Sequence, residues 1–311
     1  MEYNLNTTAA PHVRDIEGTS SIMNNVSVAL IPASVFAVYS FGLYALAIIV
    51  VSVAFAVASE YFWQYFAGKR ILIRDGSALL TGLLLALNMP PTVPLWLPAL
   101  GSMIAVIVIK QMFGGIGKNY INPALGARCI LMFVFMGKMN SFAVDAYTGA
   151  TPLTALKRGM AADSAAAIVG FSSGCIGEVS AIALLIGAAY LIIKRVIRWE
   201  IPVMYILSFA IFVVAFGGYG VDAAYLTTQL CSGGLLLGAF FMATDYVTSP
   251  LTLTGRIAYG IILGVITGMF RFFSSYAEGV SFAILIGNLM LPIINKATVY
   301  AKLRNRKVYE G

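Results

Sequence analysis

The sequence predicts an all-α integral membrane protein, with about ten transmembrane helices in two inverted five-helix repeats. Three observations predict it: a composition too apolar for a soluble globule, a series of long apolar runs, and a motif that recurs five runs later. Of the 311 residues, 60% are hydrophobic and 11% charged, and the mean hydropathy is +0.88. Soluble domains carry about 25% charged residues, so this chain lacks the charge to cover a water-facing surface. Lipid offers backbone N–H and C=O groups no partner, which restricts spanning segments to helices or closed barrels. Barrel strands alternate polar and apolar residues, and these runs do not.

The ten runs lie at 23–40, 42–66, 77–94, 96–113, 121–137, 177–195, 201–218, 227–245, 256–273 and 279–297. Their lengths approach the roughly 20 residues a helix needs to cross a bilayer. Trp63, Trp96 and Trp199 fall near run ends, where amphipathic rings favour the interface. Lys and Arg set the orientation. With the N-terminus inside, one side collects Arg14, Lys69, Arg70, Arg74, Lys110, Lys118, Arg128, Lys194, Arg195, Arg198, Arg256 and the basic C-terminus. The other receives only Lys138, Lys157, Arg158 and Arg271, a division of 16 to 4 among the 20 basic residues. Cytoplasmic loops are the basic ones, so both termini are expected inside, and the net charge of +7 needs no nucleic acid. The expected organisation is a cytoplasmic tail (1–22), a first repeat (23–137), an external loop (138–176), a second repeat (177–297) and a basic cytoplasmic tail (298–311).

The repeat rests on TGLLLALNMPPTVP (81–94) and LGAFFMATDYVTSP (237–250). Gly82 matches Gly238 and Pro94 matches Pro250, each 156 residues on. An odd number of spans between the copies turns the second upside down. Inverted halves with Gly- or Pro-interrupted helices are a transporter architecture.

Candidate chemistry concentrates in the 138–176 connection, because long loops in compact proteins are usually functional. It contains Asp145-Ala-Tyr-Thr148-Gly149-Ala150-Thr151-Pro152. Small residues at 149 and 150 leave the Thr151 hydroxyl accessible, and Lys157 and Arg158 follow it. A hydroxyl beside cations suits a phosphoryl group; a plain polar turn has the same spacing. A second cluster, Phe113 to Pro123, joins glycines to Asn119 and Asn122. It reads either as a close-approach ligand site or as a tight turn and helix cap. Charges near run ends form a third group: Arg128, Glu178, Asp245 and Glu278. Charge at bilayer depth marks an ion pathway or an ion pair, and Asp245 and Glu278, within the second repeat's motifs, are the leading ion-pathway candidates. Cys129, Cys175 and Cys231 lie far apart without CxxC spacing, and His12 stands alone in the tail. No self-contained metal site is expected.

The Asp145–Thr151 stretch resembles the D-x-x-[S/T]-G-A-[S/T] signature that flavin transferases read when they join the phosphate of FMN to the last hydroxyl. SALLTG (77–82), LNMPP (87–91), KQMFGGIGKNYINPAL (110–125), GCIGEVSAIALLIG (174–187), GAFFMATDYVTSP (238–250) and YAEGVSFAILIGN (276–288) are similar to the same family. Over nearly its whole length the chain resembles the membrane subunits that comprise the D subunits of Rnf complexes and the B subunits of sodium-pumping NADH:quinone reductases. The short N-terminal tail resembles the Rnf branch. Thr148 stands where Ser is common and keeps the hydroxyl. The resemblance implies FMN held covalently by a phosphoester to Thr151, with Asp145, Thr148, Gly149 and Ala150 as its recognition motif. It also implies a non-covalent riboflavin near Asn119 and Asn122. The implied role is electron transfer in a redox-driven Na⁺ or H⁺ pump that couples ferredoxin oxidation to NAD reduction. Implied partners are Rnf subunits A, B, C, E and G, and a flavin transferase for maturation. A small-solute transporter or channel with inverted repeats is the alternative.

Overall fold

Apolar runs that close their own backbone hydrogen bonds give helices, and among the described residues the secondary structure is helical throughout. The computed structural model describes residues 18–141, 152–157, 168–169, 174–178, 180–274 and 279–309. The chain begins with α1 (Thr19–Ala29) and α2 (Ile31–Phe41), a nearly continuous pair with Pro32 in the first turn of α2. Next come α3 (Leu43–Phe66), α4 (Ser77–Leu87), α5 (Trp96–Gln111), α6 (Pro123–Val134) and the short α7 (Met136–Met139). One turn of helix, α8 (Pro152–Lys157), lies in the long connection. Then follow α9 (Ala181–Ile193), α10 (Glu200–Phe216), α11 (Ala223–Cys231), α12 (Leu235–Met242), α13 (Leu253–Phe273) and α14 (Val280–Tyr309).

Four stretches are long and apolar enough to cross a membrane: Thr19–Phe41, Leu43–Phe66, Leu253–Phe273 and Val280–Val299. A fifth arises if α11 and α12, bent by 58° at their break, count as one. The remaining apolar helices, α4, α5, α6, α9 and α10, have 10–17 residues. The 11 residues of α4 rise about 17 Å at 1.5 Å each, against a hydrocarbon core of about 30 Å. Several of the expected runs thus fall on a helix plus unwound chain. In the run 77–94, Pro90 and Pro91 withhold two donors, and the helix stops at Leu87.

Long helices expose apolar faces. Ile261, Val265, Met269 and Phe273 recur every four residues along α13 and are all exposed. Continuous apolar surface of this kind is what lipid covers, and the protein is a multi-pass membrane protein. On another face of α13, Gly260, Gly264 and Gly268 follow the same four-residue period. A Cβ on Gly260 would stand 2.9 Å from the Ile201 carbonyl oxygen, and one on Gly264 would stand 2.7 Å from the Phe209 nitrogen. Small residues at this spacing let membrane helices approach backbone to backbone; here α13 packs on α10. Gly82 does the same for α4, where a Cβ would be 2.8 Å from the Ser52 carbonyl oxygen of α3. The Ser52 hydroxyl donates to the Gly82 carbonyl at 2.8 Å and pairs with the Ser102 hydroxyl at 2.8 Å.

Helices α3, α4, α5 and α6 begin at Leu43, Ser77, Trp96 and Pro123, and α10, α12, α13 and α14 begin at Glu200, Leu235, Leu253 and Val280. Each start in the second set falls 157 or 158 residues after its counterpart.

Candidate functional site

Interrupted helices leave backbone groups and charges inside the bundle, and among the described residues these assemble into three buried constellations beside two cavities. The first joins α3 to α5. From Ile104 to Gln111, α5 is wound as a π-helix, with the Met112 N–H donating to the Ile107 carbonyl. This wider winding often accompanies functional sites. Lys110 and Gln111, adjacent at its end, are both buried. The Lys110 ammonium lies 2.8 and 3.0 Å from the Glu60 carboxylate oxygens, with side-chain exposures of 2% and 1%. Lys110 also donates to the Ser77 hydroxyl at 2.5 Å, and Ser77 donates to Asp75 at 2.7 Å. Gln111 and Gln64 donate to the same Glu60 oxygen at 2.6 and 3.3 Å. A buried pair holds only when further hydrogen bonds satisfy it, and these amides supply them. Lys110, expected among the loop cations, is therefore a core residue.

The second constellation surrounds Arg128 of α6, which is buried rather than at a span end. Its Nη1 donates to Asn88 Oδ1 at 3.3 Å and to the Ser281 hydroxyl, and its Nη2 donates to Cys175 Sγ at 3.3 Å. These partners stand just beyond α4, in the first turn of α14 and beside the 3₁₀ turn Ile176–Glu178. The Ile176 N–H donates to the Met89 carbonyl at 2.9 Å, which ties two of these segments directly. Glu178 is likewise buried. It lies against Gly234, where a Cβ would come 2.7 Å from Glu178 Oε1. Cys129 and Cys175 are buried thiols outside any disulfide, consistent with a structural role.

The third constellation corrects Arg271, expected in an outer loop. It is buried on α13. Its guanidinium donates to the Gln229 carbonyl, to Gln229 Oε1 at 3.3 Å, to the Ser232 carbonyl at 2.7 Å and to the Gly233 carbonyl at 3.2 Å. The end of α11 leaves carbonyls without helical partners, and a cation there also meets the favourable end of the helix dipole. The guanidinium lies 4.7 Å from the Phe209 ring centre. Gly233 and Gly234 turn the chain with φ of +68° and +67°, where a side chain is strained.

Arg271 also borders a cavity of about 330 Å³ formed with Leu153, Lys157, Tyr219, Tyr225 and Gln229. The two tyrosine rings lie 4.6 Å apart at 33°. Gln229 donates to the Tyr225 hydroxyl at 3.3 Å, and Lys157 donates to the Ser274 carbonyl at 2.8 Å. Burial, and then the Arg271 charge, lowers the Lys157 pKa below the usual lysine value. Helix α8 contributes Leu153 and Lys157 and begins one residue after Thr151.

Among the sequence candidates, Asn122 and Asp245 meet on the walls of a cavity of about 40 Å³. The Asn122 side chain accepts from the Ala124 and Leu125 N–H groups at 3.1 and 3.5 Å, so it caps α6. Asp245 accepts from the Thr248 hydroxyl at 3.1 Å and from the backbone of Val247 and Tyr246. Asn119 sits in the turn after α5, its Oδ1 buried without a hydrogen-bond partner. Asp145, Thr148, Gly149, Ala150, Thr151 and Glu278 lie outside the described residues. Sequence reasoning missed Glu60, although it is the one acidic residue in the apolar run 42–66.

Fold and buried sites together define a multi-pass helical membrane protein whose interrupted helices enclose paired charge. The chain belongs to the NQR2, RnfD, RnfE family, whose model matches residues 6–304. It is 44% identical over 306 residues to the D subunit of the Na(+)-translocating ferredoxin:NAD(+) oxidoreductase complex of Acetobacterium woodii, a match covering 96% of this chain and 94% of that protein. It is 41% identical over 318 residues to the D subunit of the proton-translocating ferredoxin:NAD(+) oxidoreductase complex of Clostridium ljungdahlii, covering 96% of each. It is 37% identical over 271 residues to the B subunit of the Na(+)-translocating NADH-quinone reductase of Chromohalobacter salexigens, covering 82% of this chain and 66% of that protein.

Proposed function

We propose that this chain is a flavin-carrying subunit of a membrane complex that couples ferredoxin oxidation and NAD reduction to Na⁺ or H⁺ translocation. The observation that carries the proposal is the near end-to-end match to two subunits whose names give that activity, in a chain that keeps the hydroxyl of the flavin-transfer motif at Thr151. The two relatives are named for different ions, so the cargo is either cation. Rnf subunits A, B, C, E and G are the proposed partners, and a flavin transferase loads the FMN.

Asp145, Thr148, Gly149 and Ala150 present Thr151 to the transferase. The transferase moves the FMN phosphoryl group from an activated flavin donor to Oγ1: the donor's P–O bond to its leaving group breaks, the P–O bond to Thr151 forms, and the displaced group carries off the hydroxyl proton. FMN supplies the one- and two-electron chemistry, and the protein's part is to place and tune it. A second flavin, non-covalent riboflavin, fits the turn after α5 through Asn119, whose buried oxygen lacks a donor. Asn122 supports that turn as a cap. The cavity of about 40 Å³ beside it falls well below the roughly 300–1,000 Å³ of ligand pockets, so that cavity does not hold the ring. Asp245 and Glu278 remain the proposed carboxylates of an ion route.

The chain is further proposed to cross the membrane ten times as two inverted halves, with both termini cytoplasmic and 138–176 external. Support comes from the recurring helix starts, from the basic residues, which still divide 14 to 3 once the buried Lys110, Arg128 and Arg271 are set aside, and from the unwound segments that meet at Arg128. Irregular backbone at membrane depth is tolerated where protein buries it.

The test is chemical. Expressed with a transferase, the chain should yield a Thr151 peptide heavier by FMN minus one water. Thr151→Val should abolish covalent flavin, Thr151→Ser should retain some, and Thr148→Ala should reduce labelling. Full labelling of Thr151→Val, or an unmodified wild-type peptide, sinks the assignment.

A further inference from the structure

A span that outruns the hydrocarbon core carries its last turn into the headgroups. Helix α3 has 24 residues, which rise about 36 Å at 1.5 Å each, against a core of about 30 Å. Tyr and Trp gather at that boundary, and Tyr61, Trp63 and Tyr65 stand at the end of α3. Two rows of rings run down the same end. Tyr61 and Tyr65 stack at 6.2 Å between centres, and Phe62 and Phe66 at 6.5 Å. All four rings are exposed. Beyond them the chain reads Ala67-Gly68-Lys69-Arg70-Ile71-Leu72-Ile73-Arg74. Lys69, Arg70 and Arg74 are exposed, and so are Ile71 and Leu72 between them. Cations and aliphatic side chains thus share one short surface loop.

The loop is held in shape. Gly68 turns the chain with φ of +62°. The Lys69 N–H donates to the Gln64 carbonyl at 2.9 Å, and the Leu72 N–H donates to Oε1 of the buried Gln64 at 2.8 Å. The Ser20 hydroxyl of α1 donates to the Arg74 carbonyl at 3.1 Å. Asp75, the nearest carboxylate in the chain, accepts from the Ser77 N–H and hydroxyl at 2.9 and 2.7 Å. Among the described residues no ion pair engages the three cations.

We propose that this loop and the exposed end of α3 bind an anionic phospholipid. Its phosphate sits among Lys69, Arg70 and Arg74, and an acyl chain runs along Phe62 and Phe66. Lys and Arg make charge-assisted hydrogen bonds to phosphate, and basic clusters beside a span attract anionic lipid. Ile71, Leu72 and the ring rows favour lipid over an acidic protein, which would match the cations and leave the apolar surface uncovered. Gln64 joins the site to the bundle interior, because the side chain that accepts from Leu72 also donates to Glu60 of the buried pair. A bound lipid therefore braces the Glu60–Lys110 network from outside. The site is independent of the flavin reading.

The experiment uses the full chain in detergent and the fluorescence of Trp63. Trp96→Phe/Trp199→Phe leaves Trp63, half-buried beside Phe62, as the sole indole. This parent is titrated with phosphatidylglycerol or phosphatidylcholine carrying brominated tails, which quench an indole on contact. Half-quenching should need a several-fold lower mole fraction of phosphatidylglycerol. Lys69→Gln/Arg70→Gln should remove that preference. Lys194→Gln/Arg198→Gln deletes the same charge from the exposed turn between α9 and α10 and should keep it. Lys69→Arg/Arg70→Lys retains both charges and should keep it too, which separates lost charge from a disturbed loop. Millimolar inorganic phosphate should leave the preference intact. No preference in the parent, or equal losses from the two neutralised pairs, would reduce the site to bulk electrostatic attraction and overturn it. Displacement by inorganic phosphate would reassign the cations to a free anion, and displacement by polyglutamate to an acidic protein; either result overturns the lipid site.

Discussion

Glu60 and Lys110 are the deepest charged pair among the described residues, and they show how a membrane core tolerates ions. Removing one partner of a buried pair leaves an uncompensated charge and costs about 3–5 kcal/mol, whereas replacing both is often nearly neutral. Lys110→Met should therefore lower the thermal midpoint in detergent sharply. Glu60→Gln/Lys110→Met should recover most of the loss, because Gln keeps acceptors for Gln64 and Gln111. A double variant no better than Lys110→Met would show that the pair is not an isolated unit. Asn122 teaches the opposite lesson: its cap to Ala124 and Leu125 gives it a structural duty. Asn122→Ala should cost about 1 kcal/mol as a lost N-cap, measured by the same melt. Asn119→Leu, with no such duty, should instead release the non-covalent flavin on purification and leave stability close to wild type.

Among the elements, α10 and α13 form the tightest helix pair, and glycine explains it. With Gly264 against the Tyr205 and Phe209 backbone and Gly268 against the Phe212 ring, α13 has no room for an added side chain on this face. Overpacking costs about 1–3 kcal/mol or occasionally more, and a rigid backbone opposite places Gly264→Leu at the upper end. Val265→Leu, one residue on and facing lipid, should stay within about 0.5 kcal/mol. Equal melts for the two variants would refute the packing argument. The Gly260, Gly264 and Gly268 spacing was legible in the sequence as a small-residue stripe, whereas the partner helix was not. The prolines after Leu87 lay inside the expected run 77–94, and the structure ends α4 before them. The break between α11 and α12 could not be placed, because Arg271 lies about 40 residues downstream of the carbonyls it satisfies.

For the whole molecule, orientation is the prediction. Reporter tags at both termini should read as cytoplasmic, and a tag within 138–176 as external; a cytoplasmic 138–176 would overturn the ten-crossing arrangement. The revised places of Lys110, Arg128 and Arg271 do not reverse the charge bias. Two of the three leave the basic side and one leaves the other, and the remaining loops are still mostly basic on the first side.

The sequence by itself determined that this is a helical membrane protein, which family it resembles and where its apolar runs lie. Each of these is carried by local composition or contiguous spacing, and lipid enforces them through the unpaired backbone alone. Only the tertiary structure decided which charges are core. Glu60 and Lys110 are 50 residues apart, and Arg128 and Ser281 are 153 apart. A charge beside an apolar run reads the same whether it faces water or a partner, and only folding supplies the partner. The cavity is of the same kind. Leu153, Tyr219, Tyr225 and Arg271 come from distant stretches, and nothing in any one of them marks a pocket until the helices close around it.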